Sequence, residues 1–260
     1  MGYLNNQIGY REDLLANRSV VKKENYVILE TDGLVKNVVP GYENCDVTIL
    51  ASPAMGASFA DYLVHANADG KNTGIGGEGI ESFLYVLEGS ISVKNDDTEA
   101  ELQKGGYIYS PEGNNITFEN KGQETATLYV YKRRYEKLEG YSARTVVGNA
   151  FELPWVEYEG MENVHVVDFL PKDLGFDMNM HILSFKPGAS HGYIETHIQE
   201  HGMYFYSGKG MYYLDDEWVP LKKGDYVFMD SYCPQACYGV GKDEEFAYIY
   251  SKDCNRDVVL

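Results

Sequence analysis

The sequence predicts an all-β protein: two tandem antiparallel barrels behind an N-terminal arm. Three observations carry that prediction. The apolar residues fall in short β-branched or aromatic runs bounded by Gly, Pro, Asp or Asn. Strong helical periodicity is absent, while 23 Tyr and 27 Gly favour strands joined by tight turns. And the chain repeats itself. Gly89–Tyr107 (GSISVKNDDTEAELQKGGY) lies without a gap over Gly208–Tyr226 (GKGMYYLDDEWVPLKKGDY), 119 positions later, matching Gly89 with Gly208, Leu102 with Leu221 and Lys104-Gly105 with Lys223-Gly224. The same spacing carries Tyr129-Val130-Tyr131 onto Tyr248-Ile249-Tyr250.

In chain order, residues 1–45 read as an irregular arm, 46–145 as the first barrel and 146–260 as the second. Strands are predicted at ISVKN, YIYSP and ATLYVYK in the first barrel, and at MYFYS, MYYL, YVFMD and FAYIYS in the second. Around Phe151–Pro171 the pairs Leu153-Pro154 and Leu170-Pro171 disfavour helix, and this stretch reads as the linker.

Composition limits what such a molecule does. The 260 residues are 44% hydrophobic and 24% charged, which supports a packed core and rules out global disorder. A net charge of −18 argues against nucleic acid and anionic membranes as partners, so an anionic small molecule needs a local cation. The four Cys form no CxxC and no disulfide-dense pattern, the N-terminus shows neither a signal peptide nor a myristoylation pattern, and no apolar run approaches the ~18 residues of a membrane span. A reduced, cytoplasmic protein is the expectation.

Three of the six His fall within eleven residues, at His191, His197 and His201. His197-Ile-Gln-Glu-His201 matches the inverted zinc-protease pattern, but that pattern needs a helix, and Gly188, Gly192, Gly202 and the β-like Met203–Tyr206 argue against one. On a strand, Glu195 and His197 share a face about 6–7 Å apart and can reach one metal ion. His201 lies about 13 Å further along a straight strand. A shared ion therefore requires the chain to turn between Ile198 and Glu200.

The pattern Gly188…Glu195-x-His197-x3-His201-x6-Gly208, followed by Lys223-Gly224-Asp225-Tyr226 through Pro234-Gln235, resembles the two cupin motifs. It departs from the usual cupin set by Glu at 195, His at 201 and Gln at 235. Those departures resemble the (S)-ureidoglycine aminohydrolases, two-cupin enzymes of purine (allantoin) breakdown. So do Gly2-Tyr3-Leu4-Asn5-Asn6, Phe176–His181, Gly210-Met211-Tyr212 and Tyr250–Asp253. The resemblance spans essentially the whole chain.

It implies jelly-roll-like barrels, one Mn²⁺ held by Glu195, His197, His201 and Gln235, and substrate contacts from Tyr212, Tyr248 and Lys252. Lys252 becomes the candidate for proton transfer or carboxylate binding, with Glu195 able to shuttle a proton as well as ligate. It also implies a homo-oligomer. The implied donors contain no thiolate, which suits manganese or iron without strictly excluding zinc, and a divalent ion beside one carboxylate leaves the local positive charge that the acidic chain needs.

Stepping each implied ligand back 119 positions gives Gly76, Glu78, Ser82 and Ile116, a set with one possible ligand. The first barrel is therefore expected to be a metal-free partner, with Glu78 and Glu81 as solvated turn charges. Cys233 and Cys237 read as barrel-wall packing. His181 and His191 read as supporting or structural, and Asn179 as a candidate pocket residue. Two other classes fit the fold: a metal dioxygenase, which would consume O₂, and a storage module, which would not need the donor set.

Overall fold

The computed structural model describes residues 18–253 and 256–258. Among these residues there are twenty-one strands and a few short 3₁₀ turns, all strand pairs are antiparallel, and no helix is long and apolar enough to cross a membrane. In the first half, Gly106–Ser110, Ile80–Glu88, Ala126–Arg134, Phe59–Asn72 and Tyr42–Ala51 lie side by side, and Glu99–Gln103, Ser90–Lys94 and Asn115–Glu119 curl round to close the other wall. The second half repeats the arrangement with Asp225–Met229, His201–Ser207, Phe246–Asp253, Met178–Phe185 and Val164–Asp168 facing Glu217–Lys222, Lys209–Leu214 and Gln235–Val240. Gly106–Ser110 and Asp225–Met229 stand 119 positions apart residue for residue.

The 119-residue spacing slips by one at the last strand. Leu128 and Val130 point into the first barrel, whereas Tyr129 and Tyr131 join the core between the barrels. In the second barrel Tyr248 and Tyr250 point inward and Ile249 outward. The inward pairs are thus 120 apart. Irregularities in the pairing at Thr127/Leu128 and at Phe205/Ser207 accompany the slip. A one-residue change of register exchanges the faces of a strand.

The arm is not irregular throughout. Val20–Lys22 and Tyr26–Glu30 are strands, and Tyr26–Glu30 pairs with Asp225–Met229 on the edge of the second barrel's sheet. Arg18 fixes this crossing, placing its guanidinium 2.6 and 2.7 Å from the two oxygens of the buried Asp225 carboxylate. In the same sense, Val146–Asn149 from the opening of the second half pairs with Gly106–Ser110 of the first. Within the stretch read as a linker, Val164–Asp168 is a strand of the second sheet, because its alternating Val residues find an apolar barrel interior to face.

Each barrel has its own core, and a third core lies between their broad sheets. That interface is aromatic but holds buried acids. Asp61 is fully buried and accepts hydrogen bonds from Tyr129 (2.7 Å) and Tyr226 (2.5 Å). Burial pushes its carboxyl up to about 7. Glu81 corrects the sequence reading. It is fully buried, 2.6 Å from the Tyr109 hydroxyl, and burial beside Asp177 holds its pKa well above the usual range, while Glu78 is exposed as expected. Gly202 permits the close approach here. A Cβ at that position would overlap the Asp61 carboxylate and come 2.5 Å from the Tyr226 hydroxyl.

Candidate metal centre

The segment carrying Glu195 and His197 is extended but not part of a long strand. One isolated bridge fixes it: Glu195 N donates to Gln235 O and Gln235 N to Glu195 O, both at 2.9 Å. Tyr232 N donates to His197 O at 2.7 Å, and the Thr196 hydroxyl to Tyr232 O at 2.8 Å. Four backbone and side-chain bonds thus pin residues 195–197 against the loop and strand that carry Gln235. The chain bends at Ile198 and re-enters the sheet at His201. The turn required for a shared ion is present, and the helix required by the zinc-protease pattern is not.

The bend brings the two imidazoles together edge-on. His197 Nε2 and His201 Nε2 are 3.3 Å apart, with ring planes at 73°. The Gln235 side-chain amide is 2.9 Å from His197 Nε2. Both Nδ1 atoms meet carbonyl oxygens, His201 at Ser251 (2.7 Å) and His197 at Gln199 (3.0 Å). A carbonyl accepts only, so each Nδ1 carries the proton and each Nε2 presents a lone pair. Burial holds His201 well below its ordinary pKa, helped by His197, and burial with the nearby Lys252 charge also lowers His197. Two neutral imidazoles therefore aim acceptors at one another, an arrangement that a cation satisfies and a direct hydrogen bond between them does not.

Glu195 faces the same small cavity, where burial raises its carboxyl pKa and the Lys252 ammonium opposes the rise. Tyr158 donates to its Oε2 at 3.4 Å. No three His, Cys, Asp or Glu side chains among the described residues form a ready-made cage; the donors that meet are two imidazoles and the Gln235 amide, and the Glu195 carboxylate lines the same cavity. Gln235 presents nitrogen to His197 and its oxygen accepts from the Tyr212 hydroxyl at 2.9 Å. Ligation calls for its oxygen, and Tyr212, which can donate or accept, tolerates either amide orientation. The N/N/O/O donor set and the opposed lone pairs fit a divalent ion.

Tyr212, Tyr248 and Lys252 line this cavity with Glu195, His197, His201 and Gln235. All seven residues singled out in the sequence thus come together. Tyr212 and Tyr248 are buried with hydroxyls 3.3 Å apart. Asn179 is structural: it is buried and exchanges two hydrogen bonds with the Leu170 backbone. Cys233 and Cys237 pack in the barrel core. The motif at residues 2–6 lies outside the described residues. Four cavity residues escaped the site prediction, the apolar Leu183 and Met203 and two tyrosines. Tyr250 lies edge-on to His201 at 5.1 Å, and its alternation with Tyr248 and Lys252 was a usable signal. Tyr158 comes from the segment between the barrels, where nothing in the sequence marks it.

The cupin domain model matches residues 181–249. The chain is 61% identical to (S)-ureidoglycine aminohydrolase of Escherichia coli K12 over the full length of both, and 30% identical to the Arabidopsis thaliana enzyme of that name over 92% of this chain and 79% of that one. The chain belongs to the (S)-ureidoglycine aminohydrolase family. The crystal structure of protein Ylba from E. coli superimposes with a TM-score of 0.88 at 58% identity, covering 97% of this chain and all of that one. Oxalate decarboxylase of Bacillus subtilis shares the fold with this aminohydrolase family member at 11% identity, with a TM-score of 0.67 over 95% of this chain and 82% of that one.

Proposed function

We infer that the chain converts (S)-ureidoglycine and water to (S)-ureidoglycolate and ammonia in purine catabolism, using one Mn²⁺ held by Glu195, His197, His201 and Gln235. The family carries the reaction. The opposed Nε2 lone pairs of His197 and His201 carry the metal assignment. The substrate carbon bears an amine, a ureido nitrogen and a carboxylate; its bond to the amine breaks, water supplies the new oxygen, and the amine leaves as ammonia.

Glu195, His197, His201 and Gln235 would hold the divalent ion, which would supply Lewis-acid chemistry there. Lys252, beside the Glu195 carboxylate, pairs with the substrate carboxylate or moves the proton. Tyr212 and Tyr248 bring hydroxyls from the barrel wall to orient the ureido group, which directs water to one face of the carbon. Glu195 ligates first and can shuttle a proton when loosely held. The first barrel is a metal-free partner, and a homo-oligomer acting in the cytoplasm completes this reading.

Metal analysis paired with an ammonia assay tests it, with the unstable substrate generated in situ by an allantoate-cleaving enzyme. One manganese per chain, ammonia release and no O₂ uptake are the expected results. Full activity in a metal-free preparation would overturn the metal assignment.

A further inference from the structure

The second barrel holds another acid–imidazole pair that this chemistry leaves unused. His181 and Asp168 are Cα partners on neighbouring strands. Both point into the barrel: Met180 and Ile182 face the core between the barrels, while Leu183 and Phe185 face the same interior as His181. His181 Nδ1 lies 2.7 Å from Asp168 Oδ1, and the other Asp168 oxygen lies 2.6 Å from Lys172 Nζ. A carboxylate held by two cations or donors stays an acceptor, so Nδ1 carries the imidazole proton and Nε2 presents a lone pair. That Nε2 is buried and has no hydrogen-bond partner among the described residues.

Its position gives the orphan acceptor a use. The His181 ring stacks on Tyr250 at 5.0 Å, and Tyr250 packs edge-on against His201. Lys252 follows Tyr250 by two residues on the same face of the neighbouring strand, and its charge is felt by His181 and by His201. An ammonium offers three donors on a flexible stem, whereas the imidazole is fixed by Asp168 and by the stack on Tyr250.

We propose that His181, oriented by Asp168, is a positioning residue for the reaction: its Nε2 accepts a hydrogen bond from the Lys252 ammonium and holds that group at the cavity. This rests on the assignment of Lys252 above. Asparagine at 181 keeps a donor for Asp168 and removes the Nε2 acceptor; glutamine places an amide oxygen near the Nε2 position. His181→Asn should lower kcat about 10- to 100-fold, the span of one hydrogen bond to a charged group, with KM and manganese content near wild type. His181→Gln should restore most of the loss. If His181→Asn fails to fold, Asp168→Asn takes its place and should lower kcat several-fold at full metal content. An unimpaired kcat in either His181→Asn or Asp168→Asn, or no recovery in His181→Gln beside a folded, impaired His181→Asn, overturns the proposal. A wild-type protein that releases no ammonia from ureidoglycine instead overturns the functional reading.

Discussion

The two barrels share strand order and differ in what their strands turn inward. At the positions of His201, Tyr212 and Gln235 the first barrel has Ser82, Val93 and Ile116, and its last strand offers Leu128 and Val130 where the second offers Tyr248 and Tyr250. Ser82 spends its hydroxyl on the Ile75 carbonyl, and Ile116 is fully buried. One barrel is filled mainly by aliphatic side chains, with Phe118 among them; the other keeps a cavity walled by imidazole, phenol, amide and carboxylate. The strand scaffold is therefore neutral towards chemistry, and a handful of inward positions decides whether a barrel is a core or a site.

The most severe way to break this contrast is to remove a donor on the active side. Glu195→Ala or His201→Ala should abolish both bound manganese and ammonia release. Glu78→Ala, at the exposed position matching His197, should leave one manganese per chain. A fall in stoichiometry for Glu78→Ala would show that the first barrel also binds metal.

Next in size is the pH response of the surface where the barrels meet. Asp61 titrates near 3.8 when unfolded and about 7 in the fold. Below 3.8 both states are protonated and nothing is lost. As pH rises towards 7 the unfolded chain gives up the proton while the fold retains it, so stability falls, by up to about 4 kcal/mol above pH 7. Asp61→Asn, whose amide oxygen can still accept from Tyr129 and Tyr226, should flatten that slope and raise Tm at pH 8. Chemical denaturation at pH 5 and pH 8 measures it, and an unchanged slope would show that Asp61 is ionised throughout.

How far all this was readable in the sequence depends on the range of the cause. Strands such as Tyr226–Met229 announce themselves by local composition, and the repeat marked two copies of one unit. Glu195, His197 and His201 were readable as candidate donors because a short segment concentrates them and its spacing demands a turn at Ile198, whereas Gln235 came only from the family resemblance. Tyr26–Glu30 was not readable as part of the second sheet, since its partner lies nearly two hundred residues on. Glu81 looked solvated because its burial beside Tyr109 and its proximity to Asp177, almost a hundred residues on, arise only in three dimensions. The slip that sends Tyr248 inward and Tyr129 outward arises from strand irregularities that identical Tyr-x-Tyr spacing conceals.

Gly202 sharpens the comparison on the interface side. Its counterpart 119 positions earlier, Phe83, fills space there by stacking on Tyr107. Gly202 instead yields room for Asp61 and Tyr226. Gly202→Ala should cost about 1–3 kcal/mol through overpacking. Because the shift falls beside His201, manganese affinity should weaken in the same variant. Loss of stability with unchanged affinity would separate the interface from the site.

The smallest effect should come from Tyr158, the cavity residue supplied by the segment between the barrels. Its 3.4 Å contact with Glu195 is long for a hydrogen bond, so Tyr158→Phe should weaken manganese binding only a few-fold, at the low end of the net value of a hydrogen bond. The ring would still pack beside His191, so the fold should hold. A loss as large as that of Glu195→Ala, read by titrating Mn²⁺ into the metal-free protein, would mean that the segment between the barrels builds the site, and that the second barrel's inward residues are not sufficient for it.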